Sequence, residues 1–329
     1  MFRILWRILY TSLICIGLLV LYFYVDARLR ETETRFESAP PSGKYVQSAG
    51  LEIFVQEMGP PSGPAVLLIP ATAAWSGTWE KTAEALAASG YRVVAIDLPP
   101  FGYSERPYDL SFDRTSQAKR IRGALDALNI EKVTLVGHSI AGRPTIELAL
   151  LSPERVERLV LVSASAGITK HVEGIQPQSF SAFLIKAVFG FKPVRDRLMD
   201  IITYPMLSRT FLERIVEDPS DVTYEIVSLF RQPFSLQKSG AALGDWLFAV
   251  VFGEDEGKSK DEQEYGALTM PTLLVWGRED KIIPLAEGER LQTLIKNSEL
   301  VVMEGVNHAP HLEETEFFNT TLIEFLKTH

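Results

Sequence analysis

Apolar and polar positions fall into distinct regimes along the chain. Residues 8–25 carry no charge, and only Thr11, Ser12 and Gly17 interrupt an apolar run. Eighteen residues at about 1.5 Å each rise roughly 27 Å, enough for a bilayer core. Arg3 and Arg7 flank the run on one side, Arg28 and Arg30 on the other, and Trp6, Tyr10, Tyr22 and Tyr24 sit near its ends. That arrangement predicts an uncleaved transmembrane helix. Cleavage as a signal peptide would need small residues where Tyr22-Phe23-Tyr24 stand. Residues 26–43 are charged and then rich in Pro and Gly, which predicts a linker.

From residue 44 onward the period alternates between strand-like and helix-like. Residues 45–47 and 51–55 predict an antiparallel hairpin turning at Ala49-Gly50. Short apolar runs at 65–69, 91–98, 133–136, 158–162, 271–276 and 300–303 predict buried strands. Helical spacing appears at 77–89, 114–128 and 313–327, between and after those runs. Strands alternating with helices predict an α/β fold, a mostly parallel sheet covered on both faces. Between Gly167 and Met270 the alternation stops; several amphipathic helical runs follow, then the charged segment 254–264. This predicts a helical insertion between two strands, placed as a lid over the site. The expected organisation is an anchor at 1–25, a linker at 26–43, a core at 44–168, a lid at 169–269 and a second part of the core at 270–329.

The stretch 132–142, KVTLVGHSIAG, joins a buried strand to a helix through Gly137, His138, Ser139, Ile140 and Ala141. A serine on such a turn, with small residues two before and two after, has the layout of a nucleophile elbow. A serine hydroxyl needs a base, and the base needs an orienting carboxylate. Of the five histidines, His138 adjoins the serine, His171 lies in the insertion and His329 ends the chain. His308 follows the last predicted strand and is the expected base, while His311 is expected to cap the closing helix or pack beneath the loop. Asp280, or its neighbour Glu279, follows the strand ending at Trp276; Asp280 is the expected acid. The order Ser, Asp, His, each at a strand exit, is the one this triad follows on a parallel sheet.

Those segments, together with Asp97-Leu98-Pro99-Pro100-Phe101-Gly102-Tyr103-Ser104 and Gly305 through His308 with Glu313, make residues 44–329 resemble the α/β-hydrolase fold superfamily. The likeness is to its lidded serine esterase, lipase and C–C hydrolase branch. It implies backbone N–H groups of Thr72 and Ile140 as oxyanion donors. The family's usual histidine-glycine before that loop is replaced here by Pro70-Ala71. Ala71, Trp75 and His138 are expected substrate contacts. The resemblance implies a hydrolase of carboxylic esters acting through an acyl-enzyme, with C–C hydrolysis of dienone acids on the same triad as the alternative. Arg143, just after the elbow, is the candidate cation for an acid substrate. A different class is a membrane-tethered, non-catalytic hydrolase-like binding protein.

Charge and cysteine usage narrow the partners. The net charge is −9, with +3 in the first thirty residues and −12 in the rest, which argues against a nucleic-acid partner. Cys15 is the single cysteine, excluding an internal disulfide or a thiolate cluster. No cofactor or metal is expected, since His308-x-x-His311 is not HExxH. The apolar insertion and the anchor point to a small lipophilic ester as substrate. Flanking arginines nearly tie under the positive-inside rule, with the domain placed on the periplasmic or extracytoplasmic side.

Overall fold

The computed structural model describes residues 2–107, 110–168 and 180–329; His171 and the start of the insertion lie outside them. The chain begins as a long helix, α1 (Phe2–Arg30), then one turn of α2 (Arg35–Ser38). Eight strands follow: β1 (Gly43–Ser48), β2 (Leu51–Met58), β3 (Ala65–Ile69), β4 (Arg92–Ile96), β5 (Val133–His138), β6 (Val156–Val162), β7 (Thr272–Gly277) and β8 (Ser298–Met303). They form one sheet in the order β1-β2-β4-β3-β5-β6-β7-β8. β1 and β2 pair antiparallel, and every pair from β4 to β8 is parallel. Ala49 and Gly50 turn the first hairpin with φ of +49° and +80°, the left-handed pair a tight hairpin needs.

Alternate side chains of each central strand feed two cores, so the strands read as continuous apolar runs. α3 (Glu80–Ala88) covers one face, where Val66, Leu68 and Val136 meet Trp79 and Leu86. α4 (Arg114–Ala127) and α5 (Gly142–Leu151) cover the other, where Leu67, Leu135 and Leu161 meet Ile121, Leu125 and Ile146. Each large side chain so buried contributes about 1.5–3 kcal/mol. Among the described residues between β6 and β7 run five α-helices: α6 (Phe180–Gly190), α7 (Lys192–Ile202), α8 (Pro205–Ile215), α9 (Tyr224–Arg231) and α10 (Ser239–Phe252). α11 (Leu285–Leu294) returns to the α4/α5 face, and α12 (Pro310–Glu313) and α13 (Thr315–Thr328) close the Trp79 face.

The linker expected at 26–43 is not a free tether. α1 continues to Arg30 because no residue breaks it, and Arg30 pairs with Asp26 one turn back at 2.6 Å. Glu31 is buried and accepts the Gly240 N–H at 2.9 Å. Glu33 exchanges backbone hydrogen bonds with Ser235 and Gln237 at 3.1 and 2.9 Å. Arg28, Glu31 and Glu33, which suggested solvation, instead engage the insertion.

Beside the elbow, the loop after β4 is folded around a fully buried carboxylate. Asp97 accepts the N–H groups of Ser76 and Tyr103 at 2.5 and 2.7 Å, and burial pushes its carboxyl up to about 6. Gly102 crosses that carboxylate at φ +59°, where a Cβ would lie 1.9 Å from Oδ2. Gly102→Ala is therefore expected to cost about 2–4 kcal/mol of stability, read as a lowered denaturant midpoint with the slope unchanged.

Candidate active site

Ser139 stands where β5 ends and a single 3₁₀ turn leads into α5. Its backbone is left-handed, φ +57°, a strained state for a residue with a Cβ. Close neighbours hold it there. A Cβ on Gly137 would lie 2.5 Å from the Thr145 Oγ1, and one on Gly142 would lie 2.7 Å from the Ala164 Cβ. The Ser165 N–H donates to the Ser139 carbonyl at 2.8 Å, tying the elbow to the exit of β6. Ser139 is thus lifted out of the strand direction while staying almost fully buried.

His308 lies on the loop after β8, with Nε2 2.9 Å from the Ser139 Oγ. Its Nδ1 stands 2.9 Å from the Asp280 Oδ2 and 3.1 Å from Oδ1. Asp280 Oδ1 also accepts the N–H groups of Ile282 and Ile283 at 2.9 and 2.8 Å, which fixes the carboxylate on its turn. The three expected catalytic side chains therefore meet in one hydrogen-bonded line, and Glu279 is turned away to accept the Val306 N–H. Such a line can move the serine proton to imidazole as the oxygen attacks a carbonyl.

The loop bearing His308 is positioned from two sides. Glu313 accepts the N–H groups of Asn307, Ala309 and Glu217 at 3.0, 2.9 and 2.7 Å, and burial raises its carboxyl above the usual range. On the other side, the His138 Nε2 meets the His308 carbonyl at 2.8 Å. A carbonyl only accepts, so that nitrogen carries a proton, and burial holds the imidazole well below its usual pKa, in the neutral form. His311 stacks on Trp79 at 4.0 Å and is driven down to about 3 by burial; it packs beneath the loop as a neutral ring.

A cavity of about 170 Å³ opens at Ser139 and His308, walled by Ala71, Thr72 and His138 and by Phe211, Ile215 and Phe230 of the insertion. A larger cavity of about 370 Å³ shares Ala71 and runs past Ile140, Phe101, Arg114, Arg143 and Trp246. Ala71 and Thr72 thus lie at the serine as expected, and Ile140 lines the adjoining space. His138 is a wall whose ring N–H is already committed. Trp75 is a correction. It lines neither cavity; its Nε1 donates to the Leu229 carbonyl at 2.7 Å, and its ring packs with Phe54, Tyr103 and Leu236. An indole so close to the loop after β3 satisfies its N–H and its area better under α9 than in an open pocket.

Residues 64–315 match the family described as alpha/beta hydrolase fold. The chain belongs to the α/β-hydrolase fold family. It is 31% identical over 301 residues to a 2-hydroxymuconate semialdehyde hydrolase of Pseudomonas sp. (strain CF600), covering 88% of this chain and 95% of that protein. Among solved structures it resembles a meta-cleavage product hydrolase from Pseudomonas fluorescens IP01, with 30% identity, a TM-score of 0.68 and coverage of 87% of this chain and 98% of the other. A membrane phospholipase A described as a bacterial virulence factor shares the fold at 24% identity and a TM-score of 0.68, over 100% of this chain and 99% of its own. The two relatives of higher identity are thus named as hydrolases of a 2-hydroxymuconate semialdehyde and of a meta-cleavage product.

The roles of Glu313 and Asp97 escaped the sequence reading, as did the Phe211, Ile215 and Phe230 wall. Glu313 was visible only as part of a motif, and its three backbone partners converge only once the loop has folded. Glu313→Ala would leave three N–H groups without their acceptor. It is expected to lower kcat about 10–100-fold and to lower the melting temperature, measured on the same preparation.

Proposed function

We propose that the chain is a membrane-anchored serine hydrolase that cleaves a C–C bond next to a ketone in a dienone-type acid. Ser139 attacks, His308 carries the proton and Asp280 holds His308. The observation that carries the catalytic part is the line from Ser139 Oγ through His308 to Asp280, closed at 2.9 Å on each side. The preference for a C–C bond is supported by the 31% identical hydrolase across most of both chains.

The geometry suggests how the steps run. His308 Nε2 takes the Ser139 proton as Oγ bonds to the ketone carbon, and the oxyanion is met by the N–H groups of Thr72 and Ile140. The bond to the neighbouring carbon breaks, and its electron pair delocalises into the conjugated acid that leaves. His308 returns the proton to that fragment. Water, deprotonated by the same imidazole, then hydrolyses the acyl-enzyme, so that one water is consumed overall.

The acid end of the substrate needs a cation. Arg143 lines the larger cavity beside Ile140, its Nη1 lies 3.3 Å from Asp255, and its Nε is buried without a partner. Asp255 is shared with Arg114 at 2.7 Å, so one carboxylate faces two guanidinium groups. The insertion serves as the lid, supplying the apolar side of the smaller cavity, and α1 serves as the anchor. Among the described residues one helix, Arg3–Arg30, is long and apolar enough to cross a membrane.

Ester hydrolysis is the second reading. Its support is the smaller cavity, whose lining contains no lysine or arginine among the described residues and suits a neutral acyl chain.

A fluorophosphonate probe at neutral pH is expected to label wild type and not Ser139→Ala, and the variant should lose on the order of 10⁴–10⁶ in kcat. Absence of labelling would favour a non-catalytic binding protein. Arg143→Met is expected to cut kcat/KM on a 2-hydroxy-6-oxo-dienoate about 10–100-fold, mostly through KM, while neutral p-nitrophenyl esters are turned over unchanged. Turnover of esters with none of the dienoate would establish the second reading instead.

A further inference from the structure

We infer that the outer face of α6, α7 and α8 rests on the same bilayer that α1 enters, so that the mouth of the Ser139 cavity opens at the lipid surface. The inference rests on α1 being the anchor proposed above. The partner is the apolar surface of a membrane, not a protein.

α1 divides into two parts. Arg3 to Leu21 rises roughly 28 Å; Val20 alone in that stretch is half-buried, the others being exposed. From Tyr22 onward the helix is docked. The Tyr22 hydroxyl meets that of Tyr204 at 3.2 Å, and the rings of Phe23 and Tyr204 cross edge-on at 5.2 Å. The Arg197 guanidinium lies 4.2 Å from the centre of the Tyr24 ring, Arg28 reaches Asp200 at 3.6 Å, and Arg30 donates to the Thr203 carbonyl at 3.2 Å. Tyrosines and arginines clustered at the end of an apolar helix mark the headgroup level. Here half of the cluster belongs to α7 and the residues after it. The depth of α1 therefore fixes the depth of the insertion.

The surface beside that belt is apolar. α8 starts at Pro205, directly after Tyr204, and exposes Met206 at 69% and Phe211 at 46%. Ile202, two residues before Tyr204, is 48% exposed. α6 packs on α7 and has one charged residue, Lys186; Leu184 and Val188 are 45% and 53% exposed. A helix with so little polar surface is unsuited to water. At eleven residues α6 is roughly 16 Å long and too short to span a bilayer, which leaves the interfacial plane. The charge balance agrees with an apolar contact. Past the first thirty residues the chain carries −12, so attraction to anionic headgroups does not supply the binding.

The link to the site is Phe211. Its side chain is part of the exposed apolar face and also walls the cavity at Ser139. A substrate whose apolar part is seated in the membrane surface thus meets the cavity wall without that part crossing water.

Depth-dependent quenching tests this on the full chain in phosphatidylcholine vesicles carrying brominated acyl chains. Wild type labelled with an environment-sensitive fluorophore at its native Cys15 reports the anchor. Met206→Cys, Leu184→Cys and Phe317→Cys, each in a Cys15→Ser background, report the face and a control on α13, where Phe317 is 53% exposed. The expected result is quenching at Met206 and Leu184 comparable to Cys15, unchanged in 1 M salt, with Phe317 unquenched. Quenching at Cys15 while Met206 and Leu184 behave like Phe317 overturns the inference and leaves the anchor standing. No quenching at Cys15 overturns the anchor, and the inference with it. Met206 and Leu184 labels shielded from lipid but cross-linked between copies would mean that a second chain covers the face, which also overturns it.

Discussion

The left-handed backbone at Ser139 is the constraint on which the site depends. A φ of +57° on a residue with a Cβ is unfavourable by itself, on the order of 1–3 kcal/mol. It persists because the surroundings leave no alternative. Gly137 and Gly142 let Thr145 and Ala164 come within 2.5 and 2.7 Å of where a Cβ would stand, and the Ser165 N–H holds the Ser139 carbonyl. β5 lies between β3 and β6 in the middle of the sheet, so both flanks are paired before the turn begins. The strain is thus carried by the most over-determined part of the molecule.

His308 and Asp280 come from the ends of neighbouring strands, and neither is fixed by the sheet itself. Each is held by hydrogen bonds from its own loop or from neighbouring elements, the His308 N–H donating to the Ile215 carbonyl at 3.0 Å. Asp280 is held by the N–H groups of Ile282 and Ile283, and His308 by His138 from one side and Glu313 from the other. Three histidines lie within ring contact of one another, at 5.2 Å for His138–His308 and 4.8 Å for His138–His311. Burial keeps His138 and His311 neutral, so they bring no positive charge that would oppose protonation of His308 during turnover.

The mostly parallel sheet and the placing of Ser139, Asp280 and His308 at strand exits were legible because each depends on local signals: apolar runs of strand length, a glycine-serine elbow, and acidic and histidine residues at strand exits. The loop after β3 was legible in position, and Ala71 and Thr72 do reach the serine cavity. Trp75 was not, since nothing in its neighbours announces that Leu229, 154 positions later, would take its N–H. The linker was misread for a similar reason. Its charges resemble a solvated tether until α7 and α10 supply Asp200 and the Gly240 N–H. Contacts between distant segments carry no periodicity, and those were the ones missed.

The split origin of the cavity has a consequence for how its specificity can change. Every polar group that handles bonds or protons sits on loops at the edge of the sheet, whereas Phe211, Ile215 and Phe230 come from the segment between β6 and β7. The two parts are nevertheless tied together, because the Ile215 carbonyl accepts the His308 N–H at 3.0 Å and the Glu217 N–H donates to Glu313 at 2.7 Å. Side chains such as Phe211 and Phe230 can therefore drift with the substrate, whereas a shift of the backbone from Ile215 to Glu217 would be felt at His308 as well.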